Sequence, residues 1–316
     1  MRLNAIVAVP KNRSLTRRIA ILVFLLIFAG VIAILLISSI VGWRLVHPER
    51  KPLPVFSSNI VPEYKDVSFN DIGNKIELKG WFFQTKDSKT TIILSHGYGQ
   101  NRLQMGIKTL DMVKAFISKG YSVLLFDYRG CGVSGGDMTS IGIYEKDDLL
   151  GAIRFVKASG SKNIILLGYS MGASTSIIAG SMSPDASAVI ADSPFSDLDE
   201  YINKNLPVWS GLPSFPFNKT VLMSVKVMCG LNPPDSSPRK SLAGLSQRPL
   251  MLIHSKDDHS IPVSNSQELY RIYSGIAPGK VDFWETEKAA HVGSYEMYTA
   301  EYMDRIFGFI NKYIKK

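Results

Sequence analysis

From residue 64 onward, hydrophobic and polar positions follow two rhythms in turn. Short apolar runs recur at residues 90–95 (TTIILS), 121–127 (YSVLLFD), 163–168 (NIILLG), 187–191, 250–254 and 281–285. Runs of this length, bounded by polar residues and glycine, predict strands buried on both faces. Residues 65–69 and 76–83 are alternating or β-rich and predict an antiparallel pair at the sheet edge. Between the runs, apolar residues return at helical spacing: Leu110, Val113, Phe116 and Ile117 in 107–119, then Leu149, Leu150, Ile153 and Val156 in 144–158. Residues 173–182, 267–273 and 295–314 predict three further helices. Strand and helix in alternation predict an α/β fold. It should hold a mostly parallel eight-stranded sheet, helices on both faces and right-handed crossovers.

Two segments break this rhythm. Residues 193–248 are rich in proline and aromatics, including Trp209, Phe215 and Phe217, with a helix-like run at 220–228. That is too long for a plain connection and predicts a lid insertion over about 196–246. The other is residues 19–41, IAILVFLLIFAGVIAILLISSIV, 23 residues without a charge. A helix of this length spans about 34 Å, enough for a hydrocarbon core of about 30 Å. It exceeds the apolar region of a signal peptide and is followed by a poor cleavage site, so it predicts a single-pass anchor. Lys11, Arg13, Arg17 and Arg18 precede it, which places the N-terminus in the cytoplasm and the rest outside. The expected organisation is a basic segment 1–18, a transmembrane helix 19–41, a Pro-rich linker 42–63 and an α/β domain 64–316. Pro48, Pro52, Pro54 and Pro62 suggest that the linker is a semi-rigid spacer holding the domain off the bilayer.

Composition alters this picture little. Apolar residues are 46% and charged residues 20% of the 316, as in ordinary globular proteins. The net charge of +9 could suggest nucleic-acid binding, but its location argues otherwise. Residues 1–51 hold eight Lys/Arg against the single acid Glu49, whereas the remainder is almost balanced. No basic stripe with interleaved aromatics is present, so nucleic acid is not an expected partner. Cys131 and Cys229 could form one bridge, but no Cys/His cluster has zinc-ligand spacing. No metal or cofactor is expected. Asn218-Lys219-Thr220 is a glycosylation sequon.

The chemistry concentrates at Gly168-Tyr169-Ser170-Met171-Gly172. G-x-S-x-G alone is a weak signal, but here it joins an apolar strand to a small-residue helix. Such a sharp turn needs flanking glycines and exposes Ser170 as a nucleophile at a helix N-terminus. Ser95-His96-Gly97-Tyr98-Gly99 follows another strand and could aim a backbone N–H at a reacting carbonyl. The N–H groups of Tyr98 and Met171 are the expected oxyanion donors. A serine hydroxyl needs a base and an acid to orient that base. Of the five histidines, His47 lies beside the apolar run, His96 belongs to the glycine loop, and His254 and His259 precede or adjoin the candidate acids. Only His291 falls late enough for the order nucleophile, acid, base. Asp258 in Asp258-His259-Ser260-Ile261-Pro262 is the preferred acid, with Asp257 and Asp192 as alternatives.

HGYG at 96–99, DYRGCGVSGG at 127–136, GYSMG at 168–172, DDHSIP at 257–262 and AAH at 289–291 together resemble the α/β-hydrolase superfamily. The likeness covers roughly residues 64–316 and is nearest to monoacylglycerol-lipase-like and serine-aminopeptidase-like hydrolases. It implies Ser170, Asp258 and His291 as a triad, and Tyr98 and Met171 as the oxyanion hole. His254-Ser255 departs from the His-Gly that many members carry before the acid. The expected reaction is hydrolysis of an ester or thioester, lipid-derived if the apolar lid and anchor reflect the substrate. An aminopeptidase and a non-catalytic membrane-tethered binding domain are the alternatives.

Overall fold

A computed structural model describes residues 13–56, 60–105 and 107–314. The basic positions Arg2 and Lys11 of the N-terminal segment therefore lie outside the described residues. The elements, in chain order, are helix α1 (Arg13–Val46) and strands β1 (Lys65–Asn70), β2 (Glu77–Phe83) and β3 (Thr90–Ser95). Helix α2 (Thr109–Ser118), β4 (Ser122–Phe126), α3 (Glu145–Ala158) and β5 (Asn163–Tyr169) follow. Next come α4 (Met171–Met182), β6 (Ala186–Asp192), α5 (Leu198–Ser210), α6 (Ser214–Cys229) and the short α7 (Pro238–Ser241). The chain closes with β7 (Leu250–Ser255), α8 (Ser264–Ile276), β8 (Val281–Thr286), the short α9 (Ser294–Met297) and α10 (Thr299–Tyr313).

The strands form one eight-stranded sheet in the order β1-β2-β4-β3-β5-β6-β7-β8. Strand β2 is antiparallel to both its neighbours, and all the other pairs are parallel. This is the mostly parallel eight-stranded sheet that the hydrophobic rhythm predicts, in the α/β-hydrolase arrangement that the motif resemblance implies. Both sheet faces are covered, which is why the central strands read as unbroken apolar runs. On one face Leu149, Ile153, Ile177 and Tyr273 of α3, α4 and α8 pack on the sheet. On the other, Val113, Phe116, Ile306 and Phe309 of α2 and α10 do so. The helix expected over 295–314 is two, interrupted at Tyr298 with φ −125° and ψ 40°.

Within the proposed lid, α5 escaped the sequence pattern because Pro207 lies inside it. A proline there cannot donate to the carbonyl four residues earlier. Asn218 of α6 supplies the missing donor, its Nδ2 lying 2.6 Å from the Asn203 carbonyl oxygen. The amide of the sequon thus joins the two helices. Cys131 and Cys229 are both free thiols.

The apolar N-terminal run lies within α1, which is long and apolar enough to cross a membrane. The helix continues past residue 41 to Val46, whose side chain is in the domain core. The residues after it are laced to the domain rather than held off as a spacer. Thr139 N–H donates to the Val46 carbonyl at 2.8 Å. Arg50 donates to the Ser134 carbonyl at 2.7 Å and also to Gly136. Asn101 Nδ2 donates to the carbonyls of Lys51 and Pro52 at 3.2 and 3.1 Å. These contacts tie residues 46–52 to the domain.

Candidate active site

Ser170 sits between the last residue of β5 and the first of α4. Its φ of 54° and ψ of −119° lie outside the regions a side chain tolerates well, a strain of order 1–3 kcal/mol. The surroundings hold it there. Ser170 N–H donates to the Asp192 carbonyl at the end of β6, at 2.8 Å. The flanking glycines are required by space. A Cβ on Gly168 would stand 2.2 Å from the Gly172 carbonyl oxygen, and one on Gly172 would stand 2.2 Å from that of Ser95. Backbone on both sides leaves no room to relax.

Three expected residues meet here. His291 Nε2 is 2.8 Å from Ser170 Oγ, and His291 Nδ1 is 2.6 Å from Asp258 Oδ2. His291 is carried by the loop after β8, and Asp258 by the loop after β7. Asp258 is buried, and its other oxygen accepts the N–H groups of Ser260 and Ile261 at 2.8 and 2.9 Å. Burial alone would raise its carboxyl. Hydrogen bonds from His254 and His291, the positive charge His291 can carry and the Ile261 N–H together outweigh burial and hold it well below the usual range. It therefore remains an anion beside the imidazole throughout neutral and mildly acid pH.

The alternatives are placed elsewhere. Asp257 is exposed, and its carboxylate accepts the Lys288 N–H at 2.6 Å, bracing the loop that carries His291. Asp192 is fully buried and accepts the hydroxyls of Ser193 and Tyr302, both at 2.9 Å. Burial lifts its carboxyl to about 6. Because the folded value exceeds the ordinary one, the neutral acid favours the fold. That contribution is complete below about pH 4 and is lost as pH rises through 6. Asp192→Asn is expected to stay active within a few-fold. It should also lose less stability than the wild type between pH 4 and 7, by up to about 3 kcal/mol, since a tenfold change in a protonation equilibrium is worth about 1.4 kcal/mol. Urea midpoints across that range, with an ester assay, check both. An activity loss of a thousandfold would reinstate Asp192 as the acid.

His96 is buried and neutral at physiological pH, since desolvation lowers its pKa. Its Nδ1 donates to the Gly97 carbonyl at 2.8 Å, and its Nε2 accepts the Tyr128 N–H at 3.0 Å. Both nitrogens are used in holding the loop, leaving none for a substrate. His47 stacks on Trp43 with ring centroids 3.6 Å apart, and His259 is exposed. Sequence reasoning missed His254. It is fully buried, with Nδ1 2.7 Å from Ser266 Oγ and Nε2 3.2 Å from Asp258 Oδ2. Its place four residues before Asp258 was the available signal, but a strand-terminal histidine gives no hint of where its ring points.

The two expected oxyanion donors line the cavity beside Ser170. Met171 is the first residue of α4, where an N–H has no partner within the helix. Tyr98 lies on a loop pinned by the Gly97 N–H, which donates to Gln104 Oε1 at 2.6 Å. The Tyr98 hydroxyl donates to the Leu45 carbonyl of α1 at 2.7 Å. Behind the loop, Asp127 binds both the N–H and the guanidinium of Arg102 at 2.6 and 2.7 Å, and the Val133 N–H at 3.0 Å. One buried carboxylate thus ties the glycine loop to the DYRGCG loop.

The cavity holds about 430 Å³ and reaches from Ser170 and His291 past Phe195, Tyr201 and Ile202 to Trp209 of α5 and Leu45 of α1. Among the described residues, no Asp, Glu, Lys or Arg side chain lines it.

Residues 86–234 match the family described as serine aminopeptidase, S33. That stretch contains Tyr98, Ser170 and Met171 and ends before Asp258 and His291. The uncharacterized protein YqkD of Bacillus subtilis (strain 168) is 33% identical over 239 residues, 74% of this chain and 75% of YqkD. The mouse lysophosphatidylserine lipase ABHD12 is 27% identical over 199 residues, 61% of this chain. That match spans 48% of the lipase, about half its length. The Pyrococcus furiosus esterase Pf2001 superposes with a TM-score of 0.71 at 27% identity, over 86% of this chain and 99% of the esterase.

Proposed function

We propose, for a chain that belongs to the α/β-hydrolase superfamily, that it is a membrane-anchored serine hydrolase of acyl esters or thioesters. The relatives described as esterase and lipase support a hydrolase. The observation that carries the finer reading is the relay Ser170–His291–Asp258 opening onto an uncharged, largely apolar cavity. In this reading His291 Nε2 takes the Ser170 proton as Oγ attacks the acyl carbonyl. Asp258 fixes the imidazole with its Nδ1–H inward and stabilises the imidazolium. The N–H groups of Tyr98 and Met171 receive the oxyanion, a donor of this kind being worth about 2.7–4 kcal/mol. His291 then protonates the leaving oxygen or sulfur. Water, deprotonated by the same imidazole, releases the acid and restores Ser170.

The family description favours a second reading, an aminopeptidase. A free α-ammonium taken out of water needs a carboxylate to meet it. The lining residues include none, which supports the uncharged acyl substrate instead.

Full-length protein in detergent should react with a fluorophosphonate, which phosphonylates only an activated serine. Peptide mass mapping should find the adduct on Ser170. Labelling elsewhere, or none, would sink the assignment.

A further inference from the structure

Helix α1 crosses α6 closely, and the crossing has a definite depth along the apolar run. Ser38 Oγ is 2.7 Å from Thr220 Oγ1, and Ser39 Oγ is 3.5 Å from Ser224 Oγ. At Gly42 the helices nearly touch, since a Cβ there would stand 2.9 Å from Val225 Cγ2 and 3.4 Å from the Val221 carbonyl oxygen. Counting from Ile19, the first residue after Arg17 and Arg18, Ser38 lies about 29 Å along the helix. A hydrocarbon core is about 30 Å thick. The seam with α6 therefore coincides with the far boundary of that core.

A groove runs along the seam, lined by Leu35, Ser39, Lys219, Met223, Val227 and Met228. Leu35 is one turn deeper in the apolar run than Ser39, so the groove opens toward the bilayer. Its apolar α6 side chains are largely unpacked, Met223 at 62% and Val227 at 73% exposure. Phe215 at the start of α6 is 88% exposed. In water these side chains form an apolar patch of the kind that marks an interaction site. Lys219 and Lys226 are exposed on the same helix, with stems long enough to bring an ammonium to lipid phosphates.

We propose that α6 lies in the acyl–headgroup boundary of the leaflet from which α1 emerges, with Met223, Val227 and Met228 against lipid, and that the Ser170 cavity is filled from that leaflet. The occupant of the patch is thus a lipid surface. The argument is continuity: the groove joins Leu35 of α1 to Met223, Val227 and Met228 of α6, at the depth where the uncharged surface of α1 ends. The cavity follows the same geometry. Leu45, one turn beyond the seam, is one of its walls, and Trp209 of α5 is another. The substrate class that follows is a bilayer-resident amphiphile carrying an acyl ester, a step that rests on Ser170 being the nucleophile.

The test uses full-length protein in phosphatidylcholine vesicles, in a Cys229→Ala background, since Cys131 is buried. An environment-sensitive fluorophore is attached at Met223→Cys, Val227→Cys, Leu26→Cys in mid-α1, or Arg271→Cys on α8. Lipids bearing a nitroxide on the acyl chain serve as quenchers. Labels at 223, 227 and 26 should be quenched severalfold more than the label at 271. Quenching at 26 with none at 223 and 227 would overturn the placement of α6. No quenching at 26 would overturn the proposal together with the anchor. The substrate step is read separately with Met223→Lys/Val227→Lys. Hydrolysis of vesicle-borne monooleoylglycerol should fall at least tenfold, while hydrolysis of soluble p-nitrophenyl butyrate stays within twofold. Equal losses on both substrates would overturn entry from the leaflet. Turnover unaffected by Ser170→Ala would fail the hydrolase reading and leave the fluorescence result intact.

Discussion

Ser170→Ala is expected to lower kcat on a medium-chain ester by about 10⁵–10⁶-fold, equivalent to about 7–8 kcal/mol of transition-state stabilisation. The loss is large because the covalent route disappears and His291 is left with no proton to take. It is not total, because the oxyanion donors and the cavity remain and can still assist attack by water. The substitution should leave KM nearly unchanged, since Oγ adds little to the ground-state fit. The fold should be retained, because the bond that fixes this residue comes from its backbone N–H to Asp192 and not from Oγ. The assay calls for the whole chain. A fragment starting at residue 52 would lack Leu45, a wall of the cavity and the acceptor of the Tyr98 hydroxyl. Activity within tenfold of wild type would remove Ser170 from the mechanism.

Asp258→Asn should cost about 10⁴-fold in kcat, against a change of less than about fivefold for Asp257→Asn. The geometry accounts for the contrast. Asp258 Oδ1 is occupied by two backbone N–H groups, so Oδ2 alone faces His291. An amide in that place keeps Oδ1 as the oxygen and turns its NH2 toward the imidazole. The ring must then present Nδ1 as an acceptor and Nε2 as a donor, the reverse of what deprotonating Ser170 requires. His254 would lose an anionic neighbour as well. Asp257, by contrast, touches neither ring, and its loss frees only one exposed backbone N–H. Parallel kcat measurements decide between the two adjacent acids. A small effect at 258 with a large one at 257 would reverse the assignment.

Local chemistry made much of this legible in advance. The central strands announce themselves because burial on both faces demands unbroken apolar runs. The bend at Ser170 announces itself because only glycine fits beside it. Adjacent Asp257 and Asp258 were harder to separate, since spacing allows either. What separates them is a backbone turn in which Ser260 and Ile261 claim Asp258. Contacts across long separations left almost no trace. The pairing of Ser38 with Thr220, or of Arg102 with Asp127, depends on where two elements cross. Helix α5 was hidden by Pro207, and the Asn203 carbonyl that it leaves without a backbone donor accepts from Asn218, 15 residues on. The prolines after α1 suggest an extended spacer. Nothing in them reveals that Thr139 and Asn101 would take up the neighbouring carbonyls.

The backbone of Ser170 also sets two demands on this position against each other. Its left-handed φ is one that glycine accepts freely and serine resists. In the proposed mechanism, the glycine substitution that would relieve this strain is therefore also the one that silences the protein. Adaptation to a hotter habitat cannot draw on this site and must find its increments elsewhere, among the loops and helix ends that leave the bend as it is.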